Sequence, residues 1–307
     1  MLAPLKNKLL TSVGPDPIGR LKAWWDGASY VPGEAPAHEA EARDGAVAAS
    51  LDLAAHLHIS QLLWGRGFTG PGDEAAMVAW GDNLALNKEK SVAFLGVGLG
   101  GAARAICKAH EAWITGYDRL PDQIELGTEQ CVMAGMAKKV TISPLKIGEV
   151  ELAEGKFQAI IAKEELAFHE DRGAVFQAIA KGLRPGGLVI LTDYLQGEDA
   201  APSGCFLPVW GEAMLGTSGE YEAAINASGL DLRVNEPVTD EYVSAITEAW
   251  AKYRALMKAV MDETDDAVLR ATYALALGQE ADMWANRLEA LQAGTLAVHR
   301  FVLMKPA

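Results

Sequence analysis

The chain has 307 residues, half of them apolar, and a formal net charge of −14. This length and apolar content suffice for a large buried core, in one elaborated domain or in two smaller ones. The negative charge argues against a nucleic-acid partner, because binding to phosphates depends on Lys and Arg side chains that displace counterions. No apolar run approaches the roughly 20 residues that cross a bilayer, and residues 1–10 are too short for a secretory leader. We therefore expect a cytoplasmic location and no transmembrane segment.

Residues 1–88 are predicted to form an N-terminal helical cap or lid. Apolar side chains recur at helical spacing over residues 37–64, and a second helix is predicted over residues 73–86. A glycine-rich loop, residues 65–72, separates them. The sequence leaves open whether Trp24 and Trp25 cover a ligand pocket or a homodimer interface.

Residues 89–307 are predicted to form an α/β domain, a Rossmann-like sheet of seven strands with helices on both faces. Short apolar segments alternate here with helical ones, which is typical of a parallel sheet. Thr217 and Glu220 form a capping-box signature, so a helix is predicted over residues 218–228. Residues 240–291 are predicted to be a helical insertion before the last strand. The predicted strands are residues 92–95, 112–118, 139–143, 157–162, 188–193, 230–236 and 295–304.

The cysteines and histidines do not have the spacing of a metal site. Cys107, Cys131 and Cys205 have no Cys or His neighbour at ligand spacing, and we interpret them as packed thiols. His56 and His58 are two residues apart on a predicted helix, so they point to different faces. We therefore expect no metal.

A cluster of glycines follows the first predicted strand and precedes a predicted helix. Its members are Gly96, Gly98, Gly100 and Gly101. Glycines at such a turn let a ligand approach the N–H groups of the helix N-terminus. As G-x-G-x-x-G the cluster fits a dinucleotide site, and as G-x-G-x-G it resembles the first motif of class I S-adenosylmethionine-dependent methyltransferases. Asp118, which ends the second predicted strand, suits either interpretation, because a carboxylate there accepts hydrogen bonds from ribose hydroxyls.

Later motifs favour the methyltransferase interpretation. Residues 182–187 read Gly-Leu-Arg-Pro-Gly-Gly, which resembles the turn before the fifth strand of class I methyltransferases. More narrowly, the chain resembles the phosphoethanolamine N-methyltransferases and their small-molecule relatives. The resemblance is carried by the aromatic and glycine-rich residues 64–72, by Thr192-Asp193-Tyr194, and by Trp284, read as the start of the last helix before the terminal strand.

The resemblance implies that the cofactor is S-adenosyl-L-methionine, which leaves as S-adenosyl-L-homocysteine. Asp118 would bind the ribose, and Thr69 and Gly70 would close over the methionine end. The implied cofactor-binding residues are Gly96, Gly98, Gly100, Asp118, Thr69, Gly70, Leu145 and Lys163.

The resemblance also implies a catalytic histidine and an acid after the fourth strand. His169 is the candidate that removes a proton from an amine acceptor, because imidazole titrates near neutral pH. Glu165, or its neighbour Glu164, is the candidate that orients His169 or holds a cationic acceptor, and Tyr194 would face the acceptor. The structural alternatives are a solvated histidine, a helix-capping acid and a packed tyrosine.

Aromatic residues bear on the acceptor, and two departures from the family pattern bear on the strength of cofactor binding. Three tryptophans are candidates either for the wall of an acceptor pocket or for the core: Trp64, Trp210 and Trp250. Phe94 stands where the family usually has an acid, and the segment around Ser143 lacks the acid that meets the adenine amino group. Residues 205–210 contain no basic side chain, so a phosphate monoester acceptor is disfavoured.

The leading hypothesis is methyl transfer to a small-molecule acceptor, either an amine or a lipid precursor. One alternative is a methyltransferase-like fold without catalysis that acts as a binding or scaffold protein, which the departures at Phe94 and Ser143 motivate. The other is a nicotinamide-dependent dehydrogenase.

Overall fold

A computed structural model describes residues 52–146, 150–197, 199 and 203–307. The predicted helical residues 37–51 and both N-terminal tryptophans lie outside this range. The described helices are α1 (Leu53–Trp64), α2 (Glu74–Asn83), α3 (Gly101–His110), α4 (Pro121–Met133), α5 (Arg172–Gly182), α6 (Ser218–Ala227), α7 (Thr239–Trp250), α8 (Tyr253–Asp262) and α9 (Ala267–Ala293). The described strands are β1 (Ser91–Leu95), β2 (Trp113–Asp118), β3 (Val140–Pro144), β4 (Phe157–Lys163), β5 (Leu183–Gln196), β6 (Asp231–Pro237) and β7 (Leu296–Met304).

The strands form one sheet in the order β3-β2-β1-β4-β5-β7-β6. Strands β1 to β5 pair in parallel, whereas β7 is antiparallel to both β5 and β6. The predicted seven-stranded sheet is therefore confirmed, and so is the helical insertion, formed by α7 to α9, before the last strand. A dinucleotide-binding Rossmann sheet has the order 3-2-1-4-5-6, which has no antiparallel strand between β5 and β6. The division of the chain at residue 88 stays a prediction.

Alternate residues of the central strand face opposite sides of the sheet. Val92 and Phe94 pack with α2 and α3 on one face, whereas Ala93 and Leu95 pack with α5 and α6 on the other. The three cysteines are buried and free, as expected for packed thiols. In the part of the chain that the structure describes, no helix has the length and apolar character needed to span a membrane.

Two sequence expectations on element boundaries were wrong. The Arg-Pro-Gly-Gly turn lies inside β5 and not before it: Leu183 pairs with Phe157 and Leu188 with Ala159, so five steps along β5 match two along β4. The extra residues bulge from the ladder, and Gly186 takes a positive φ of 73° there. Trp284 does not begin the last helix, because α9 starts at Ala267.

Asp193 is fully buried and joins three elements. Its carboxylate accepts hydrogen bonds from the N–H of Ala167 (2.9 Å), the N–H of Tyr194 (2.9 Å) and the hydroxyl of Tyr221 (3.0 Å). Burial raises the pKa of Asp193 to about 7, although these donors favour its charged form. The side chain therefore fastens the segment after β4 to β5 and α6.

We expect Tyr221→Phe to lower the free energy of unfolding by about 1–3 kcal/mol, because buried Asp193 loses a donor while the volume hardly changes. Urea unfolding followed by circular dichroism measures the difference. The matched control is Tyr273→Phe on α9, where the ring stacks on His58 at 4.3 Å. We expect the control to stay within about 0.5 kcal/mol of wild type. Equal losses in the two variants would contradict the role of Asp193.

Candidate functional site

A cleft of about 830 Å³ opens at the carboxyl ends of β1, β2, β4 and β5. Ligands of open α/β sheets bind at this edge. One part of the wall, which we call the glycine half, consists of Thr69, Gly70, Gly96, Gly98 and Asp118. The other part, which we call the aromatic half, consists of Tyr194, Phe206, Trp210, Trp284 and Arg287.

The structure brings most of the predicted site residues to this cleft. Lys163 and Glu165 also line it. Three predicted residues do not line it: Gly100, Leu145 and His169. The functional role of each predicted residue stays a prediction.

The turn after β1 is tightly enclosed. The N–H groups of Gly96 and Val97 both donate to the carbonyl of Tyr117, at 3.0 and 3.2 Å. Gly96 has a φ of +68°, and a Cβ built there would lie 2.5 Å from the carbonyl oxygen of Lys163. Only glycine fits this position, because the backbone conformation and the close approach to β4 both exclude a side chain.

Gly100 begins α3 in the left-handed conformation. A Cβ built on it would meet Ile142 Cδ1 at 3.1 Å, so the residue packs against β3. Leu145 is buried just after β3, where its N–H donates to the carbonyl of Asp118 at 2.6 Å. Gly100 therefore packs at the turn and Leu145 holds the main chain at Asp118, and neither residue lines the cleft.

The loop over residues 65–72 is held against the glycine turn. The N–H of Gly101 donates to the carbonyl of Gly67 at 3.0 Å, and the N–H of Gly67 donates to Gln61 Oε1 at 3.0 Å. Gln130 also donates to Gln61, at 2.8 Å, and Arg104 donates to Gln130 at 2.8 Å. This polar network places Thr69 and Gly70 above the turn.

Asp118 lies at the centre of the glycine half and is 4% exposed. Its carboxylate accepts hydrogen bonds from the N–H groups of Gly98 (2.8 Å) and Leu120 (3.0 Å). Burial, and to a smaller extent the negative charge of Glu165, raises the pKa of Asp118 to about 7. Two hydrogen bonds leave lone pairs on both oxygens free for further donors.

Glu165 stands between the cleft and His169. Glu165 Oε1 lies 3.0 Å from His169 Nε2, and Oε2 lies 3.6 Å from Arg119 Nε. His169 is 1% exposed, and its Nδ1 has no hydrogen-bond partner among the described residues. Glu165 therefore faces the cleft, as expected for a side chain that holds a cationic acceptor, whereas His169 lies behind it and does not line the cleft.

The neighbouring Glu164 has a φ of +54°, a strained conformation for a residue other than glycine. Its carboxylate pairs with Lys163 Nζ at 2.5 Å and accepts a hydrogen bond from the Tyr242 hydroxyl at 2.7 Å. Tyr242 belongs to the insertion, so this contact ties the insertion to the end of β4.

In the aromatic half, Tyr194 is fully buried, and its ring lies 5.5 Å from Phe206. Of the three tryptophans considered for an acceptor pocket, Trp64, Trp210 and Trp250, the structure places Trp210 in the lining of the cleft. Trp64 packs against Trp284 at 4.8 Å, and Trp250 packs against Tyr253 at 5.5 Å.

The buried Glu280 fixes the indoles of the aromatic half. It accepts hydrogen bonds from Trp210 Nε1 (2.9 Å) and Trp284 Nε1 (3.0 Å), and His56 Nδ1 lies 2.8 Å from it.

Sequence reasoning missed two arginines that line the cleft, Arg119 and Arg287. Arg119 follows the predicted acid directly, so its position at a strand end was a usable signal. Arg287 comes from α9, and nothing in the local sequence distinguishes it from a solvent-facing helical arginine. Phe94 belongs to the wall of the cleft and to the core beneath it, so its ring leaves the cleft open.

We expect Gly96→Ala to be more destabilising than Gly135→Ala by about 1–3 kcal/mol. Gly135 has a φ of +69° but open space around its Cβ position, so it shares the backbone penalty without the clash. Thermal or urea unfolding of the two variants measures the difference. Equal losses would mean that β4 yields to the new methyl group and that the turn is not enclosed as described.

Comparison with known proteins agrees with this fold. Residues 92–187 match the model of a methyltransferase domain family. The chain is 24% identical over 132 residues to phosphoethanolamine N-methyltransferase 1 of Triticum aestivum, covering 43% of this chain and 26% of that protein. It is 25% identical over 191 residues to 27-O-demethylrifamycin SV methyltransferase of Amycolatopsis mediterranei, covering 60% of this chain and 68% of that protein.

A solved structure shares the fold over most of the chain. Phosphoethanolamine N-methyltransferase 2 of Haemonchus contortus, in complex with S-adenosyl-L-methionine, superposes with a TM-score of 0.71 at 17% identity, over 82% of this chain and 57% of that one. The chain covers only 26% of the length of the Triticum aestivum relative. Over residues 92–187 the chain therefore matches a methyltransferase domain, and the sheet order and the shared fold agree with that match.

Proposed function

We propose that the chain transfers a methyl group from S-adenosyl-L-methionine to a small-molecule acceptor, and that the acceptor group is an amine. The observation that carries the proposal is the cleft itself, with a bare glycine turn and a buried carboxylate in one half and aromatic walls in the other. The cofactor supplies a methyl group on a sulfonium centre, which reacts with an aligned nucleophile. The protein's task is then to position the two partners, an effect worth roughly 7–11 kcal/mol.

The glycine half fits the proposed cofactor. Asp118 has free lone pairs for two ribose hydroxyls, and its charge has no cationic side chain within hydrogen-bonding distance among the described residues. Gly96 and Gly98 leave the main chain bare at the turn. Thr69 and Gly70 lie on the loop above it and would cover the methionine end. Lys163 lies on the same wall.

The segment after β4 suits an amine acceptor, because an ammonium group must lose a proton before its lone pair can attack. Glu165 lines the cleft and can accept that proton at a carboxylate oxygen. His169 Nε2, 3.0 Å from Glu165, would stabilise the carboxylate and share the proton. In this proposal Glu165 contacts the acceptor, and His169 is a positioning residue.

The amine is one of several acceptor groups compatible with the relatives, whose names include both N- and O-methyltransferases. We prefer it because two carboxylates, those of Glu164 and Glu165, line the cleft. A scaffold without catalysis is less well supported, since Phe94 does not close the cleft. A nicotinamide-dependent dehydrogenase is disfavoured by the antiparallel β7 in the sheet.

We expect the affinity for S-adenosyl-L-homocysteine to rise by up to about tenfold between pH 6 and pH 8. The pKa of Asp118 is about 7, and ribose hydroxyls donate more strongly to the ionised carboxylate that forms above this pH. Titration calorimetry at several pH values measures the dissociation constant.

The matched variant is Asp118→Asn, which keeps the shape but cannot ionise. We expect it to bind more weakly and with a flat pH dependence over the same range. A wild-type protein without measurable binding at high micromolar ligand would overturn the proposed cofactor, and an unchanged pH slope in the variant would overturn the role of Asp118.

We expect release of S-adenosyl-L-homocysteine when the full chain is incubated with S-adenosyl-L-methionine and a panel of small primary and secondary amines. With an amine that reacts, His169→Gln should lower kcat at least tenfold and shift the acidic limb of the kcat profile, while binding of S-adenosyl-L-homocysteine stays within about twofold of wild type.

His110→Gln is the control, because His110 lies against the carbonyl of Val78 on α2, away from the cleft. If the pH profile of kcat in the His169→Gln variant is the same as in wild type, His169 has only a packing role. Turnover only with hydroxyl acceptors would replace the amine by an alcohol.

A further inference from the structure

The aromatic half already contains a cation that belongs to the chain. The guanidinium carbon of Arg287 lies 4.4 Å from the ring centroid of Phe206, 4.6 Å from Trp284 and 5.0 Å from Tyr194. These are the distances of cation–π contacts, so the guanidinium occupies the aromatic faces that would otherwise attract an ammonium group. An ammonium group of the acceptor would therefore compete with the guanidinium for these ring faces.

Arg287 differs from the other cations of the cleft in its pairing. Arg119 lies 3.6 Å from Glu165, and Lys163 lies 2.5 Å from Glu164. Arg287 donates through Nε to the carbonyl of Cys205 at 2.5 Å, but no carboxylate of the described residues lies within 4 Å of it. A guanidinium that is 6% exposed and lacks a counter-ion is costly, and an anion that reaches it would recover part of that cost.

A second unsatisfied donor lies beside it. The hydroxyl of Tyr194 is buried, and it has no hydrogen-bond partner among the described residues. Burial raises the pKa of Tyr194, so the hydroxyl keeps its proton at neutral pH. Both Tyr194 and Arg287 line the same wall of the cleft.

We infer that the acceptor carries a carboxylate, which binds to the Arg287 guanidinium and the Tyr194 hydroxyl in the aromatic half. This inference rests on the proposed function and specifies the substrate class. A single unpaired guanidinium matches a singly charged, planar anion that it can grip through two parallel N–H donors. A phosphate dianion would need a second free cation, and Arg119 and Lys163 are both paired.

The topology separates the anionic end of the acceptor from the reacting atom. Strand β4 lies between β1 and β5, so the ends of β1 and β5 are about 10 Å apart. A carboxylate held at the end of β5 leaves the amine of an amino-carboxylate free to reach the segment after β4, where Glu165 lies.

The test uses the full chain saturated with S-adenosyl-L-homocysteine and titrated at pH 7.5 with three probes of similar shape: benzoate, neutral benzamide and dianionic phenyl phosphate. We expect benzoate to bind at least tenfold more tightly than either of the others. Arg287→Gln should weaken benzoate at least tenfold, and Tyr194→Phe, which changes hardly any volume, should weaken it about threefold or more. The control is Arg233→Gln on β6, an exposed arginine paired with Asp231 at 3.0 Å, which should leave benzoate binding unchanged.

Failure of the inference and failure of the proposed function give different results. Wild type that binds S-adenosyl-L-homocysteine but not benzoate at millimolar concentration overturns the carboxylate site alone. Tighter binding of phenyl phosphate overturns the carboxylate in favour of a phosphate ester, and equal binding of benzamide shows an apolar pocket without anion recognition. If the wild-type protein does not bind S-adenosyl-L-homocysteine, the proposed function is overturned, and the inference that rests on it is overturned as well. If Arg287→Gln does not fold, Tyr194→Phe decides: benzoate affinity equal to that of wild type overturns the site.

Discussion

The close approach of Gly96 to the end of β4 is the constraint on which the cleft depends. A Cβ at Gly96 would lie 2.5 Å from the carbonyl of Lys163 and 2.9 Å from Glu165 Cβ. The turn after β1 and the segment after β4 therefore form one continuous wall. Because parallel strands end at the same edge, residues 67 positions apart in sequence meet there without a dedicated linker.

Two buried carboxylates hold separate parts of the cleft lining in place, and each accepts hydrogen bonds from more than one element. Asp193 holds the segment after β4 and the helix α6. Glu280 fixes the indoles of Trp210 and Trp284. Loss of a donor at either carboxylate leaves a buried charge partly unsatisfied, which is why these positions affect the shape of the cleft as well as stability.

The predictable part of the site is the part that local sequence determines. Gly96, Gly98 and Asp118 follow strands whose apolar pattern is clear, and a residue at the end of a parallel strand has little freedom in where it lies. The boundaries of the strands other than β5 were predictable for the same reason, and the capping box at Thr217 is visible in the local sequence. The bulge in β5 was not, because it depends on pairing with β4.

The less predictable part depends on how distant elements pack. His169 is at the expected position in sequence, but the turn after β4 places its ring behind Glu165. Arg287 reaches the cleft only because α9 packs on α1 and on the aromatic residues near β5. No periodicity within α9 specifies that contact, since the face of a helix that meets a ligand is set by its neighbours.

Some charged side chains of the cleft are paired with each other, and others are not. Two ion pairs line the cleft: Arg119 with Glu165, and Lys163 with Glu164. Each pair is neutral locally, whereas Asp118 and Arg287 have no paired counter-ion among the described residues. A cofactor with a net positive charge is favoured near Asp118, and an anionic group is favoured near Arg287. In the proposed reaction, Asp118 would favour the cofactor, Arg287 would favour the anionic group of the acceptor, and the reacting atoms would lie near Glu165.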